Sequence, residues 1–563
     1  MPTIELKISQ LSELLDKELT YETLQYDLQW ISLDIDDYDP EEGIIKVEFN
    51  PNRPDFSSPE GVARVLAGYY GLAKGLQEYH VKKGLEYFKV DAKVRKVRPF
   101  VVSGLVRFAE PLNETQVITL MRMQEILHWA VGRDRKKVAI GIHDYDTVKG
   151  PYLYTTVKPD GVKFKALHLE AYELTPQEIL EEHPMGIQYA HLLEGFNEYP
   201  MIYDAEGKVV SFPPVINGTY TTVTPDKTKN LLLDLTGTSK KAVDVALNIL
   251  ASTFADMGGE VESVKVIYED EPDNAMYTPD LTPKHWQARV DYINSYIGLH
   301  LSPQEMMECL EKMRLDAKIV DSNTIDVAIP AYRDDIMHEV DIVEEVAMGY
   351  GYQNLDLTIN MEGLGKYHPV LVNEQKTRDI MVGTGCIEMS NNILISKNDN
   401  LSLRLPMKKS DEIILENPVS LEYNTVRRSL LVSLMKNLQF NRSGEKPFRL
   451  FEVGDVILLD KQEQSQTRRE SHLACVLHSE GSDYSEIKSV LDHYLRTLGV
   501  LQAIKIVPAE NPTFIPGRTG EIHYKDHIIG YIGEIHPEVI LNFGLEYPTA
   551  GFEINLTSFI TDE

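Results

Sequence analysis

Between Pro330 and Leu355 the chain reads P-A-Y-R-D-D-I-M-H-E-V-D-I-V-E-E-V-A-M-G-Y-G-Y-Q-N-L, with five Asp or Glu in the eleven residues from Asp335 to Glu345 and no Lys or Arg between Asp334 and Gly365. Unbalanced acidity limits what such a stretch can fold into, because like charges repel wherever the backbone brings them together. A helix starting near Asp335 puts Asp341 three and four residues before Glu344 and Glu345, so these carboxylates crowd one side, with Asp335 near the N-terminus. Two arrangements relieve the repulsion. Either the carboxylates gather round a hard cation, which for oxygen ligands means Mg²⁺ and not zinc, or the acidic first turn complements the helix dipole and the rest stays in water. Asp335, Asp341, Glu344 and Glu345 are the candidate metal ligands of the first arrangement.

The charge balance narrows the classes of function. A net charge of −31, from 56 Lys and Arg against 87 Asp and Glu, excludes a chain that grips nucleic acid with its whole surface, since phosphate binding is dominated by Lys and Arg. RNA contact has to be local or supplied by a partner. Two basic islands, Lys93 to Arg98 (K-V-R-K-V-R) and Arg133 to Lys137 (R-D-R-K-K), are either sites of contact with an RNA backbone or solvated loops. No apolar run reaches membrane-spanning length and M-P-T-I-E-L-K-I lacks a signal-peptide core, so a cytoplasmic location with no membrane partner is expected. Cys309, Cys386 and Cys475 are too few and scattered for a disulfide framework or a zinc site and are assigned to core packing. The chain has no Walker loop, G-x-S-x-G, H-E-x-x-H or C-x-x-C.

A length of 563 residues leaves room for about three to four domains. Residues 1–85 alternate strands and helices: I-E-L-K-I, a helix L-S-E-L-L-D-K-E-L capped by Ser9, G-I-I-K-V-E-F, a turn in which Arg53 and Asp55 pair locally, and a helix opened by Ser58 and Pro59. Residues 86–270 form a larger α/β unit with a helix from Gln116 to Val131, whose Gln124, Glu125 and His128 lie away from its apolar side, a long loop around H-D-Y-D, and the strand L-L-L-D-L-T-G-T. Period two puts Asp234, Thr236 and Thr238 on one face of that strand, where a carboxylate and hydroxyls can line a polar pocket. After the linker D-E-P-D-N-A-M-Y-T-P-D-L-T-P, residues 271–356 read as a small helical domain with a hairpin and a Ser302/Glu305 capping box. Residues 357–563 combine strands such as F-R-L-F-E-V-G-D-V-I-L-L with helices at Lys376 to Gly383 and Ser485 to Leu498.

Several of these stretches together carry a resemblance. P-x-x-R-x-D followed by D-x-x-E-E-V-A and G-Y-G-Y-x-N, the block F-N-P-N-R-P-D-F-S-S-P-E-G-V-A-R-V-L-A-G from Phe49 to Gly68, L-E-N-P-V-S with R-R-S-L-L-V-S-L, F-R-L-F-E-V-G, and F-I-P-G-R-T-G with I-G-E-I-H-P match phenylalanyl-tRNA synthetase β subunits in order. The chain resembles their shorter archaeal and eukaryotic type. The resemblance implies a multi-domain α/β and α+β fold: a B1-like α/β domain (1–85), a B3/B4-like editing domain (86–270), a helix-turn-helix-like, metal-carrying B5 domain (271–356), and a B6/B7-like core (357–563) similar to class II synthetases, an antiparallel sheet flanked by helices. Phe448 to Glu452 is similar to motif 2 of that class. F-E-I-N-L-T-S-F-I, however, lacks the Gly-rich turn and the Arg that motif 3 brings to ATP, which implies a catalytically inactive core with Arg449 and Glu452 as an internal pair and His536 as a core or interface histidine.

The implied function is that of the β subunit of phenylalanine–tRNA ligase in an α₂β₂ assembly. The α subunit is then the partner that holds the synthetic site, takes ATP as substrate and charges tRNA(Phe), while this chain contributes Mg²⁺ ligands. The acidic last helix of the B5-like domain argues against DNA. In this family the B3/B4 module removes tyrosine from mischarged tRNA, a task left over because an apolar pocket rejects an added hydroxyl only ~10²-fold. The matching positions are Ser211 to Asn217 and Asp234 to Thr238, with Asp234 accepting from the tyrosine hydroxyl or orienting water, Ser211 and Thr236 positioning substrate and Ile202 packing against the ring. The alternative is that Asp234 and Thr236 only satisfy nearby backbone groups. Two other classes stay open, a purely structural adaptor without editing and a stand-alone Mg²⁺-dependent phosphohydrolase built on the four carboxylates.

Overall fold

The computed structural model describes residues 2–169, 171–356, 363–406 and 411–559, in two compact units, Met1–Thr358 and Ile359–Glu563. The boundary expected at 356/357 adjoins residues 357–362, which lie outside the described residues.

The first unit opens with an antiparallel sheet of Thr3–Lys7, Ile44–Phe49 and Leu33–Asp39, the second of these central. I-I-K-V-E-F alternates, and Ile45, Val47 and Phe49 point together into the core. Ser9 does not cap the next helix, Ile8–Leu15, because the chain turns into it directly from the paired strand and Lys7 holds the cap position. Ser58 does cap the helix Pro59–Tyr69, accepting from Gly61 N at 3.1 Å, and Pro59 has no N–H to satisfy in the first turn. Ahead of it Arg53 grips Asp55 through bonds of 2.9 and 2.8 Å, both residues buried.

Leu6, Phe56, Val62 and Leu66 share one hydrophobic core with Ile293, Met306, Leu310, Ile325 and Val346. The latter come from the helices Val290–Ile297, Pro303–Lys312 and Glu339–Tyr350 and from a sheet of Lys284–Arg289, Thr324–Ile329 and Asp316–Asp321. At Gly68 a Cβ would stand 2.1 Å from the Lys312 carbonyl oxygen, so the two layers meet where one has no side chain. Segments 1–85 and 271–356, expected as separate domains, thus bury a common core, each layer covering the single apolar face of the other.

Between them in sequence lies a mixed ten-stranded sheet. From one edge its neighbours are Ile216–Asn217, Val209–Phe212, Tyr199–Tyr203, Tyr152–Val157, Val81–Val90, Glu260–Tyr268, Phe100–Arg107, Asn230–Gly237 and Val138–Asp144, and Met276–Thr278 adds onto Glu260–Tyr268. The helices Glu114–Ala130 and Lys240–Asp256 pack against it. V-A-I-G-I-H-D, where a loop was expected to follow the first helix, is the strand Val138–Asp144. Buried along nearly its whole length, it has no polar/apolar alternation for a sequence reading to detect.

The second unit is built on a seven-stranded sheet in the order Ile387–Glu388, Phe448–Leu459, Thr467–His478, Thr549–Asn555, His527–Ile535, Phe514–Tyr524 and Ile504–Pro508, antiparallel except for the short first strand. Helices Pro369–Gly383, Leu430–Phe440 and Tyr484–Leu498 accompany it. Arg449 and Glu452 do not pair with each other. Three residues apart on an extended strand they face opposite sides, and Arg449 bonds Glu486 at 2.8 Å while Glu452 meets Arg427 at 2.6 Å. His536 is a helix cap, its Nδ1 accepting from Glu538 N at 3.1 Å. The three cysteines are free and buried, as expected.

His472 lies between Glu553 and Glu470, at 2.7 and 3.1 Å. Burial works against its charge, yet the two carboxylates raise its pKa to about 9. A raised folded-state value contributes stability that is complete below the unfolded pKa of ~6.5 and lost as pH rises through 9. Urea titrations are expected to show a loss of roughly 3 kcal/mol through this group over that window, flattened by His472→Asn.

Candidate functional site

The strand Asn230–Gly237 runs between Phe100–Arg107 and Val138–Asp144, with Asp234 opposite Ser103 on one side and Gly141 on the other. The two-residue repeat puts Asp234 and Thr236 on one face, and Gly141 and His143 on one face of the next strand. Because Gly141 has no side chain, the His143 ring reaches across it. Its Nε2 lies 2.5 Å from Asp234 Oδ2 and its Nδ1 2.8 Å from Thr221 Oγ1, whose hydroxyl donates to the Gly218 carbonyl at 3.0 Å. A hydrogen bond at each ring nitrogen, one to Thr221 and one to Asp234, fixes the orientation of the imidazole. A Cβ at position 141 would stand 2.5 Å from Asp234 Oδ2 and 2.6 Å from His143 Nε2, so the glycine is a condition of the pair. His143 and Asp234 are 0% and 2% exposed. Among the described residues Asp234 Oδ1 has no hydrogen-bond partner.

Asp234 borders a cavity of about 250 Å³, smaller than the ~300–1,000 Å³ of sites for drug-sized ligands. Leu120, Ile142, Phe212, Val215 and Val223 make its walls apolar. The rest of the lining is mixed, with Gln124, Glu125, His128, Asn217 and Thr222 among its polar members. Ser211 Oγ is buried with no hydrogen-bond partner among the described residues, and Gln124 uses its Nε2 on the Ile140 carbonyl at 2.7 Å. Ile140 N donates to His128 Nε2 at 2.8 Å, which puts the histidine's own proton on Nδ1, 3.3 Å from Glu125 Oε1. Burial lowers the His128 pKa and keeps the ring neutral, so the Ile140 amide retains its acceptor.

Thr236 is committed to the protein. Its hydroxyl accepts from Arg98 Nε at 2.9 Å, and Arg98 also bonds the carbonyls of Thr236 at 2.8 Å and Arg135 at 3.0 Å. Burial lowers the Arg98 pKa to about 10. Ile202 is registered opposite Ser211, yet it packs among Tyr154, Val210 and Leu232 and is not a cavity wall. The expected contact of Ile202 with a bound ring is therefore not provided. After the helix Glu114–Ala130, Arg133, Asp134 and Arg135 all take left-handed φ of 50, 53 and 63°, a conformation that costs roughly 1 kcal/mol or more per ordinary residue. It is held by the buried Arg135, whose guanidinium lies over the Tyr189 ring at 4.3 Å and donates to Val215 O and Glu125, both at 3.0 Å. Arg98 and Arg135, one from each basic island, are thus neither solvated nor available to RNA.

The acidic segment resolves differently from the expected metal cluster. Its helix begins at Glu339, with Asp341 in a capping box: Asp341 Oδ2 accepts from Met337 N at 2.8 Å and His338 N at 2.7 Å. Arg333, 2% exposed, folds back between Asp335 (2.7 and 2.6 Å) and Glu345 (2.5 and 3.3 Å). Burial alone would raise the Asp335 carboxyl, but Arg333 outweighs it and holds the pKa below the usual range. Tyr352 donates to Glu344 at 2.5 Å, Lys241 pairs with Asp334 at 2.9 Å and Arg289 with Glu339 at 3.1 Å. Among the described residues no three His, Cys, Asp or Glu are arranged to hold a metal ion. Arg333 thus supplies the cation for Asp335 and Glu345, while Asp341 turns to the helix cap and Glu344 to Tyr352.

Residues 286–352, which contain that segment, match the tRNA synthetase B5 domain, and residues 360–556 match the phenylalanyl tRNA synthetase beta chain CLM domain. The chain is 38% identical to the phenylalanine–tRNA ligase beta subunit of Methanococcus maripaludis and 38% identical to that of Methanocaldococcus jannaschii, in both cases over 99% of this chain and 100% of the relative. The chain belongs to the phenylalanine–tRNA ligase beta-subunit family. A crystal structure of an N-terminal fragment of the phenylalanyl-tRNA synthetase β-subunit from Pyrococcus horikoshii is similar to it at a TM-score of 0.59 and 37% identity, covering 62% of this chain and 99% of that one.

Of the residues expected at an editing site in this family, the structure brings Ser211, Asp234 and Thr236 to one cavity and leaves Ile202 out. His143, Gly141 and Thr221 were missed. A glycine inside the apolar run V-A-I-G-I-H was the available signal, since an isolated strand glycine marks a close approach. Gly141→Ala is expected to lower stability by about 1–3 kcal/mol, the range for forced overpacking, measured by urea unfolding. Arg333→Met should cost about 3–5 kcal/mol in the same assay by leaving two buried carboxylates unpaired, and a smaller loss would show that water reaches them.

Proposed function

We propose that this chain works as the β subunit of an α₂β₂ phenylalanine–tRNA ligase and that its cavity hydrolyses tRNA(Phe) mischarged with tyrosine. Its relatives are named as beta subunits of that ligase along their full length. The synthetic site, with ATP as substrate and Mg²⁺ in use, is assigned to the assembled enzyme and its α partner in the cytoplasm. The seven-stranded antiparallel sheet suits a class II-like core kept as scaffold, with Arg449 and Glu452 tied to other residues of that unit. The ten-stranded sheet is then the B3/B4-like module. The four acidic residues carry no step here, because Arg333 and the helix cap already occupy most of them. With Asp335 and Glu345 paired to Arg333, the β-subunit reading is favoured over a stand-alone phosphohydrolase.

The observation that carries the editing reading is the buried Asp234, fixed through one oxygen by His143 and open through the other, at the wall of a small cavity with apolar walls on one part and polar groups on the rest. A phenol entering ring-first donates its hydroxyl to Asp234 Oδ1, while Ser211 Oγ supplies a second uncommitted polar group. Phenylalanine brings no donor and leaves the buried carboxylate unsatisfied. Discrimination of that sense reaches ~10⁴–10⁵, far beyond what a pocket gains by excluding a hydroxyl. Thr236 acts by anchoring Arg98, which shapes the wall.

In the assembled enzyme, Asp234→Ala is expected to slow clearance of tyrosine from mischarged tRNA(Phe) at least ~100-fold, about 2.7 kcal/mol of lost transition-state stabilisation. Clearance at the parent rate would make the chain a structural adaptor.

A further inference from the structure

The second basic island stands beside this cavity. Arg135 lines it, and the backbone of the loop is pinned from beneath by Arg98, which bonds the carbonyls of Arg135 and Lys136, and by Thr238, which bonds Lys136 O at 3.1 Å. Arg133, Lys136 and Lys137 point into solvent. Among the described residues, Arg135 is the one member of the island held in an ion pair. Three unpaired cations on a rigid loop are conspicuous in a chain of net charge −31. The loop follows the helix Glu114–Ala130, on which Met121 and Glu125 line the cavity. Trp129 lies one turn beyond Glu125 on the same stripe and is 52% exposed.

We propose that Arg133, Lys136, Lys137 and Trp129 form a rim that binds the single-stranded 3′ end of an RNA. Cations that follow a backbone beside an exposed aromatic face are the combination that holds single-stranded nucleic acid, phosphates on the charges and a base on the ring. The proposal rests on the hydrolytic reading of the cavity. With an aminoacyl side chain inside, the ester and terminal ribose sit at the mouth and the trailing phosphates pass over the loop. Glu125 and Asp134 are the nearby negative charges. Glu125 is engaged by Arg135 and His128, and Asp134 accepts from Tyr189 at 3.4 Å.

In the assembled enzyme, the triple change Arg133→Gln, Lys136→Gln, Lys137→Gln is expected to lower kcat/KM for hydrolysis of tyrosine-charged tRNA(Phe) by ~10-fold or more, through KM, and to reduce the slope of log(kcat/KM) against log[salt] by about 2, at ~0.7 per single-strand phosphate contact. Trp129→Ala should raise KM and leave the slope alone. The thermal midpoint, unchanged for these exposed positions, shows that each variant folds. A KM and salt slope equal to the parent's overturn the rim. If the parent does not hydrolyse the mischarged tRNA, the cavity reading fails separately, and the rim is read by fluorescence anisotropy with a labelled single-stranded RNA ending in CCA. Binding that is lost in the triple variant and kept in Asp234→Ala supports the rim. Equal binding by parent and triple variant, or none by the parent, overturns it.

Discussion

The contact between Asp234 and His143 depends on the register of two strands and on the residue that is missing between them. Asp234 faces Gly141 across the pair of strands, and His143, two residues on, leans back over the gap to meet it at 2.5 Å. A slip of one residue would turn Asp234 into the other face of the sheet and Leu233 or Leu235 into the cavity. Everything polar at the site follows from that register. Asp234 is left with one free oxygen, Thr221 is drawn onto Nδ1, and Ser211 arrives from a strand six places away in the sheet with its hydroxyl unused.

Buried arginines connect the rest of the molecule. With 56 cationic side chains against 87 anionic ones, many arginines sit inside, where a planar fork of donors satisfies carbonyls and carboxylates together. Arg64 reaches Asp256, 192 residues away, and lies over the Tyr332 ring at 4.2 Å. Arg98 ties the strand of Thr236 to the loop of Arg135, Arg333 joins Asp335 to Glu345, and Arg427 joins Glu452. Buried ion pairs add little net stability compared with apolar packing, but breaking one is expensive. Their contribution is to specify a single arrangement. In this chain they also settle which basic groups remain at the surface for a polyanion.

Much of the local structure was legible. Alternation located Ile44–Phe49, the apolar run L-L-L-D-L located Asn230–Gly237, Ser58 with Pro59 located a helix start, and the Ser302/Glu305 box forms as read. Asp234 and Thr236 share a face because period two is a property of any extended strand. Ser211 came only through the family resemblance. What failed depended on partners remote in the chain. The strand Val138–Asp144 was hidden because both its faces are buried, and with it His143. Arg449 and Glu452 looked like a pair by proximity in sequence, yet strand geometry sends them to opposite sides.

The sequence by itself determined the strand and helix periods, the excess of acidic charge, and, through the order of its motif blocks, the family. Those are one-dimensional properties, set by spacing and composition. Only the tertiary structure decided that Arg333 pairs with Asp335 and Glu345 of the acidic run, that segments at either end of the first unit share one core, and that Arg98 and Arg135 turn inward while Arg133, Lys136 and Lys137 do not. Charge compensation and burial are pairwise quantities that fall off over a few ångströms. Their partners are chosen by the fold, and no spacing along the chain records the choice.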